Sequence, residues 1–544
     1  MSPGHLRRPA VPPPRNPLQR AWWSFRPVSM PAFARRNYQH ELSAMGSWPI
    51  AVTMIEGAVV GVIAEKAFDQ AFPGGETPAW IIATLAAAPA FSSITSFVWT
   101  RFADGHRVVK ALVWIKIAVL ACLLLIAMVP VTELGLYLFT LAAVMSRVGM
   151  TGVITLRSVL WRANYERHER ARITGKLITL QTLLVAVVGM VVGWLMDVNE
   201  QAFRLLFPVS ILFGLLGVYS ISRLRVRRPH LVTPKTGADL APSDQGGPAV
   251  VGDDDEARAA FRGMLTRAGR SIARAAPAVA VVTAVPVAGT RAVRSWGTTI
   301  RDMAAVLRAD AAFRGYMIWM FVLGLGNLSV LAPLVRLLDN QFENVRLFGF
   351  AFTVDYFWSL MILQTIPMVM IPITIPTWAR LLDRVHIIRF RALHAWVFVA
   401  GQAMLAVGAA TGSFLLIFLA AFARGAGFGG GSLAWNIGHN DFATSDKAGL
   451  YMTIHVTLTG VRGLIGSFFG MLLYEGLRIR SGAVPIGFGG HGVPIFASDQ
   501  VTTIIPAMEE FAFTVFFVVT AIGAFGFMGL ERRFRSLAAG TPHD

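Results

Sequence analysis

Charged residues are scarce in this sequence, and that scarcity excludes an ordinary soluble protein. They make up 15% of the 544 residues, whereas a typical soluble domain contains about 25%. Hydrophobic residues make up 55%, and the mean hydropathy is +0.57. Apolar runs of roughly 20 residues, each long enough to cross about 30 Å of hydrocarbon, recur along nearly the whole chain. We therefore predict an all-α integral membrane protein.

Cysteine is almost absent as well. Cys122 is the one cysteine, so an intramolecular disulfide is excluded and the cysteine pattern of a metal site is absent from the sequence. The glycine-rich stretch 425–431 is not a phosphate loop, because it lies inside an apolar helix with no strand before it. The acidic run 253–256 is interpreted as solvated charge rather than as metal ligands. We expect neither a cofactor nor a metal, and no enzyme activity.

The apolar runs predict twelve transmembrane helices, six on each side of a long interruption. The predicted spans are 46–66, 79–99, 110–130, 135–157, 177–196, 204–222, 314–336, 353–377, 391–410, 414–434, 451–474 and 506–530. The chain is thereby divided into five parts. These are a basic N-terminal segment (1–45), a six-helix bundle (46–222), a central loop (223–313), a second six-helix bundle (314–530) and a C-terminal tail (531–544).

Lysine and arginine are concentrated on one side of these spans. With the N-terminus inside, that side receives the N-terminal segment and the 2–3, 4–5 and 8–9 loops, the last with Arg380, Arg384, Arg389 and Arg391. Because basic residues favour cytoplasmic loops, we predict both termini in the cytoplasm and a location in the plasma membrane, which is the inner membrane of a bacterial cell. The net charge of +18 does not indicate nucleic-acid binding, because the arginines cluster at the ends of apolar runs.

The central loop begins with a stretch rich in Pro, Gly and Asp and continues with two segments of helical periodicity. The apolar positions of these segments are Phe261, Met264, Leu265, Ile272, and then Val293, Trp296, Ile300, Met303 and Leu307. Both segments predict amphipathic helices. Such helices fit the anionic lipids of the cytoplasmic leaflet or, equally, the protein's own cytoplasmic face.

The two halves of the chain resemble each other. The segment 99–104 after the second span recurs at 378–383 after the eighth, with Trp, Arg and Asp in the same places. Glycine pairs recur in the fifth and eleventh spans, at Gly189, Gly193, Gly466 and Gly470. Two six-helix halves repeated in parallel and joined by a long loop are the architecture of one large class of transporters.

On these features the sequence resembles the major facilitator superfamily, over roughly residues 44–530 without the central loop. The family's 2–3 loop runs Gly-x-x-x-Asp-(Arg/Lys)-x-Gly-(Arg/Lys)-(Arg/Lys). Residues 101–110 keep the Asp, a following Arg and a basic end, but lack the leading Gly. The resemblance implies a cytoplasmic latch between the halves in the outward-facing state, formed by Asp104, Arg107, Arg380 and Asp383. A basic loop that only sets topology is the alternative.

Charged residues fall near the middle of four predicted spans, at Glu56, Arg147, Arg424 and Arg462. A charge at the bilayer centre costs roughly 3 kcal/mol or more and is usually functional. The resemblance implies that spans one, four, ten and eleven contribute to the central cavity, so we predict that these side chains form the path of substrate and ion. A buried Glu–Arg pair that only fixes packing is the alternative. Lys116 and Arg157 lie nearer the cytoplasmic ends and are expected to snorkel to the interface.

Together these features predict a secondary active transporter that moves a small solute by alternating access. Protons are the expected coupling ion with Glu56 as their carrier, and the arginines are expected to bind an anionic group of the solute. Anionic lipids at the cytoplasmic face are the other expected partner. The rival hypothesis is a non-transporting membrane assembly factor or sensor on the same fold, acting through its central cytoplasmic loop.

Single-cysteine labelling tests the predicted topology. In a Cys122→Ala background, an impermeant thiol reagent added to intact cells should label a cysteine at position 75 or within 481–500. Cysteines within 235–300 or at either terminus should react only after the membrane is opened. Labelling of position 240 from outside would contradict the predicted topology.

Overall fold

The computed structural model of the chain is almost entirely helical. It describes residues 16–72, 77–96, 99, 108–227, 291–342, 344–347, 349–443, 448–480, 485–488, 494–496 and 501–539. Among these residues, eleven helical segments are long and apolar enough to cross a membrane. A shorter apolar helix, Ala79–Thr95, takes the place of the predicted second span. The prediction of an all-α, multi-pass membrane protein is confirmed, and these helices are consistent with twelve spans.

The spans, numbered one to twelve, are grouped in two sets of six. The first set is Arg35–Ala67, Ala79–Thr95, Val108–Met128, Glu133–Asn164, Arg167–Val198 and Phe203–Ser222. The second set is Ala311–Gln341, Tyr356–Leu382, Ile387–Thr411, Phe414–Ile437, Ala448–Glu475 and Ala512–Ala539. Several helices extend past the predicted limits because amphipathic turns continue them beyond the apolar run, as Arg35–Met45 does in span one.

Short elements flank the spans. The helix Pro17–Phe25 precedes span one, and the helix Arg291–Ala309 precedes span seven. Three antiparallel strand pairs lie in the 7–8 and 11–12 loops: Val345–Leu347 with Phe350–Phe352, Leu477–Arg480 with Val501–Ile505, and Pro485–Phe488 with Pro494–Phe496.

The two faces of the molecule are defined by the ends of the spans. Lys66 at the end of span one contacts Asp339 at the end of span seven, and Glu475 at the end of span eleven contacts Arg336 beside it. We call this side the far face. Span one starts from the opposite side and span twelve returns to it, so both ends of the membrane domain lie there, on what we call the terminal face.

Spans one and seven, the first of each set, are both interrupted near mid-length. In span one the helix stops at Thr53, Glu56 adopts an extended conformation (φ −64°, ψ 140°), and the helix restarts at Gly57. In span seven the helix Ala311–Leu328 ends and Leu331–Gln341 begins. Interrupted helices at membrane depth occur where the backbone is buried in protein or lines a cavity, and in transporters they mark the binding site.

The two halves meet closely along spans five and eight and along spans two and eleven. A Cβ atom at Gly193 of span five would lie 2.7 Å from the Cα of Phe357 in span eight. A Cβ at Gly463 of span eleven would lie 2.1 Å from the Cβ of Ala90 in span two. Glycine at these positions therefore permits a backbone approach that any larger residue would prevent.

The outer surface of the helices is apolar. Large hydrophobic side chains are exposed there along the spans, among them Leu124, Leu141, Leu216 and Phe525. A soluble protein rarely exposes so much apolar surface, whereas lipid chains cover it in a bilayer.

The central loop is described only at its two ends. The first predicted amphipathic stretch (Phe261 to Ile272) lies outside the described residues. The second stretch is the helix Arg291–Ala309, whose Met303, Val306 and Leu307 pack against the core of the second half. The last turns of this helix therefore rest on the protein's own terminal face.

Candidate functional site

Glu56 and Arg147 form an ion pair at the interruption of span one. The Nη1 atom of Arg147 in span four donates to the Oε1 of Glu56 at 3.0 Å. The two side chains are 22% and 13% exposed, and the Nε of Arg147 has no partner among the described residues. The break in the helix makes Glu56 the N-cap residue of Gly57–Ala67, where the helix dipole favours negative charge. The structure thus joins two of the four predicted mid-membrane charges.

Arg424 and Arg462 lie apart from this pair, in the second half. Arg462 donates from Nη1 to the carbonyl oxygen of Met320 at 2.5 Å, and Gly324 leaves room for its guanidinium, since a Cβ there would lie 2.5 Å from Cζ. The guanidinium of Arg424 lies 5.9 Å from the ring centroid of Phe428. Both arginines are buried, each has one nitrogen without a partner, and neither has a carboxylate partner in the part of the chain that the structure describes.

A buried ionic network closes the far face. Arg336 of span seven contacts Glu65 of span one at 2.7 Å and Glu475 of span eleven at 2.9 Å. It also donates to the carbonyl oxygen of Thr77 at 2.5 Å. The side chains of Arg336 and Glu65 are 3% and 2% exposed. This network links the first half to the second, and we call it the far-face network.

Lys66 adds a second link beside the far-face network. Its Nζ contacts Asp339 of span seven and lies 3.6 Å from Asp355, the residue just before span eight. Asp69 follows just beyond span one. Burial raises the pKa of the Asp69 carboxyl above its ordinary value, and the negative charge of Asp339 adds to the increase. Around Arg336 and Lys66, the acidic groups Glu65, Glu475, Asp339, Asp355 and Asp69 outnumber these two cations.

The far-face network was not predicted from the sequence. Arg336 is the last residue of the predicted span 314–336, and no partner was predicted for it, although it is almost completely buried. The available signal was that Glu65, Arg336 and Glu475 all fall at the far-face ends of predicted spans, where an ion pair between the halves becomes possible.

The predicted latch on the terminal face is only partly described. Asp104 and Arg107 lie outside the described residues. Arg380 and Asp383 are exposed at the end of span eight, where Arg380 donates to the carbonyl oxygen of Pro376 at 3.2 Å. In the described part of the chain, neither residue forms an ion pair with the first half.

The expectation that Lys116 snorkels is wrong. Its side chain is buried, and its Nζ lies 3.9 Å from the ring centroid of Trp48, so the ring of span one attracts the cation inwards. The guanidinium of Arg157 also turns inwards and donates to the Oε1 of Gln181 at 3.3 Å. The position of Lys116 within its predicted span could not show that span one places an aromatic ring at the same depth in the membrane.

The helical fold agrees with the comparison of the sequence with known families. The sequence pattern of the Major Facilitator Superfamily matches residues 50–467, well over half of the chain. The chain belongs to this superfamily. Its members are transporters, so the predicted fold class and the general prediction of a transport protein are confirmed. None of the curated proteins matches the sequence.

Solved structures of superfamily transporters share this fold at low sequence identity. One is a tetrameric PepTSo2 (TM-score 0.59, 12% identity, covering 93% of this chain and 99% of that one). Another is a POT family transporter in complex with 5-aminolevulinic acid (TM-score 0.55, 12% identity, 89% and 94% covered). The xylose transporter XylE from E. coli is similar to the same extent (TM-score 0.55, 9% identity, 91% and 97% covered). Identities this low show the fold alone.

Removing Arg336 should destabilise the far face. In Arg336→Gln the buried carboxylate of Glu65 loses its counter-ion, a change that costs about 3–5 kcal/mol, so the thermal stability of the purified protein should fall sharply. The double variant Glu65→Gln/Arg336→Gln removes both charges and should recover part of that loss.

Arg346→Gln is the matched control, because Arg346 is an exposed arginine on the same face. Its melting temperature should stay at the parental value. Equal melting temperatures for Arg336→Gln and Arg346→Gln would show that the far-face network does not hold the halves together.

Proposed function

We propose that this transporter moves a small anionic solute together with protons, by alternating access across the plasma membrane. Membership in the superfamily makes the chain a secondary transporter. The Glu56–Arg147 pair is the observation that supports both the proposed proton coupling and the proposed anionic solute. The concentration of basic loops on the terminal face supports placing that face in the cytoplasm.

The Glu56–Arg147 pair couples proton binding to anion binding, because protonation of Glu56 removes the negative charge that neutralises Arg147. While Glu56 is ionised, it neutralises Arg147 at 3.0 Å. When Glu56 takes up a proton, Arg147 is left without a counter-ion in a medium of low dielectric, which is costly. A carboxylate or phosphate of the solute then replaces Glu56 as the partner of the guanidinium. Proton and anion therefore bind together and leave together.

Arg424 and Arg462 are proposed to face the same path from the second half. Each is buried and has one guanidinium nitrogen without a partner in the described part of the chain, so each can donate to an arriving anion. A solute held between the halves would then contact cations on both sides, and its binding would draw the halves together. The planar fork of arginine suits a carboxylate or phosphate better than a lysine ammonium does.

The far-face network supports a state that is closed to the outside. Alternating access keeps one side closed while the other is open, and Arg336 joins the two halves on the far face through Glu65. We infer that this state opens towards the terminal face. In the opposite state Arg336 and Glu65 separate, and the loops that contain Asp104, Arg107, Arg380 and Asp383 form the cytoplasmic latch.

Glu56→Gln should uncouple transport from the pH gradient. Small carboxylates and phosphates are first screened with the purified protein, because a bound ligand raises thermal stability. The stabilising compound is then followed in proteoliposomes. The variant should still exchange labelled for unlabelled solute, because an amide leaves Arg147 available, but it should no longer accumulate solute when a pH gradient is imposed. Accumulation at the parental level would show that Glu56 is not the proton carrier.

Replacement of the arginines by lysine tests the anionic solute. Arg147→Lys keeps the charge but loses the bidentate fork, and losing one charge-assisted hydrogen bond should slow exchange roughly tenfold or more. Arg424→Lys and Arg462→Lys report on the second half in the same assay. Arg204→Lys, at an exposed arginine on the far face, should exchange at the parental rate. Normal exchange by all three buried variants would rule out recognition of an anionic solute.

A further inference from the structure

A basic segment with exposed aromatic and apolar side chains precedes span one. The first 40 residues of the chain contain seven arginines and neither aspartate nor glutamate. Within this stretch, the helix Pro17–Phe25 carries Trp22, which is 68% exposed, and Val28 just after the helix is 41% exposed. Arg20 and Arg26 are exposed as well. The segment therefore presents apolar surface and positive charge together.

The end of the helix Pro17–Phe25 is fixed to spans one and five. Lys176 of span five contacts the carbonyl oxygen of Ser24, and its Nζ lies 5.9 Å from the ring centroid of Phe25. The hydroxyl of Tyr38 in span one donates to the carbonyl oxygen of Phe25 at 3.0 Å. Because two spans hold the same end, the place of the helix on the terminal face is defined.

Lys176 lies on the side of span five that faces lipid. Steps of seven, four and seven residues lead from Lys176 to Leu183, Val187 and Trp194, a spacing that places all four on one side of the helix. The three apolar side chains are 40%, 52% and 58% exposed. Their strip continues to the far-face end of the span, where the far-face network closes the molecule, so lipid rather than a central cavity covers it. The helix Pro17–Phe25 therefore lies at the edge of the protein, next to the bilayer.

The contact with Lys176 also gives the depth of the helix. Lys176 comes immediately before the apolar stretch 177–196 of span five, so the groups that contact it lie where the hydrocarbon ends and the lipid headgroups begin. Tryptophan is enriched at this depth, and basic helices with exposed aromatic residues bind there in the plane of the membrane. Trp22 is thus placed where a lipid headgroup region would cover it.

The acidic residues of the neighbouring 4–5 loop are engaged by other arginines. Glu166 contacts Arg227 at 3.0 Å, and Glu169 contacts Arg172 at 3.5 Å. Lipid phosphates of the adjoining leaflet carry the charge that complements the basic segment, and anionic lipids attract such segments over distances of about 10 Å.

We propose that the helix Pro17–Phe25 binds anionic lipids of the adjoining leaflet, with Trp22 among the headgroups and Arg20 and Arg26 contacting their phosphates. The sequence predicted lipid contact for the helices of the central loop, but the described helix Arg291–Ala309 rests in its last turns on the protein itself. The N-terminal helix instead lies at the bilayer edge. This interaction depends neither on the nature of the solute nor on proton coupling.

A fluorescent label at position 22 tests the contact in the full-length protein. Trp22→Cys in a Cys122→Ala background is labelled with an environment-sensitive fluorophore and placed in nanodiscs of phosphatidylcholine, or of an equal mixture of phosphatidylcholine and phosphatidylglycerol. In the anionic nanodiscs the emission should shift to the blue, because the label leaves water, and lipids with a spin label at the headgroup end of the acyl chain should quench it. The same label on Arg384→Cys, at an exposed position beyond span eight on the terminal face, should keep its aqueous emission in both lipids.

Charge variants separate recognition of anionic lipid from simple proximity to the bilayer. Arg20→Gln/Arg26→Gln leaves position 22 beside the membrane but removes two charges that attract it to an anionic surface. The difference between the two lipids should therefore disappear in this variant. The matched control Arg384→Gln/Arg389→Gln removes two exposed arginines from the terminal face of the second half and should keep the parental difference. Melting temperatures equal to that of the parent show that the variants are folded.

Several results would overturn the proposal. The label at position 22 could keep its aqueous emission in both lipids, or shift equally in both. The difference between the lipids could also survive in Arg20→Gln/Arg26→Gln. A blue shift in lipid-free amphipol would show that another segment of the chain, not lipid, covers position 22. None of these readouts measures transport, so the lipid site and the proposed function stand or fail separately.

Discussion

A charge placed inside the hydrocarbon is costly unless an opposite charge, a polar or aromatic group or a water-filled cavity compensates for it. That constraint determines where this chain can place its ionisable groups. Glu56 meets Arg147 at 3.0 Å, and Arg336 meets Glu65 at 2.7 Å. Each pair joins different helices, so each also fixes how those helices are arranged. Span one takes part in both, through Glu56 at its interruption and Glu65 near its far-face end.

The same constraint restricts how the molecule can change state. Arg336 cannot leave Glu65 and Glu475 unless water reaches these groups or a proton neutralises one of them. The Glu56–Arg147 pair cannot open unless a proton or an anion compensates for the change. The glycine contact between spans two and eleven is apolar and can slide or separate without such a cost, whereas spans five and eight are also joined by hydrogen bonds from Gln364 and Thr365 to the carbonyl oxygens of Val185 and Ala186. Ion pairs therefore determine when the halves move, and small residues determine how closely they meet.

Much of this arrangement could be predicted from the sequence, because the membrane constrains the pattern strongly. Long apolar runs located the spans, and the depth of Glu56 and Arg147 within their runs identified both members of a real pair. The burial of Arg336 and Arg391 was not predicted. Both arginines stand at the ends of apolar runs, where the sequence does not distinguish a loop charge from a buried charge. The direction of a side chain decides between the two, and it depends on neighbouring helices. The direction of the Lys116 side chain was predicted wrongly for the same reason, because Trp48 on another helix attracts its ammonium group inwards.

The internal repeat explains why the second half is left with excess positive charge. Spans four and ten each contain an arginine near mid-length, Arg147 and Arg424, and spans one and seven are both interrupted. In the first half, the interruption carries Glu56, which supplies the counter-charge. In the second half, it falls at Ser329 and Val330, which carry none. The repeated architecture therefore places a cation in both halves but a carboxylate in only one. Among the described residues Arg424 and Arg462 have no carboxylate partner, and the anionic solute that we propose would supply their counter-charge.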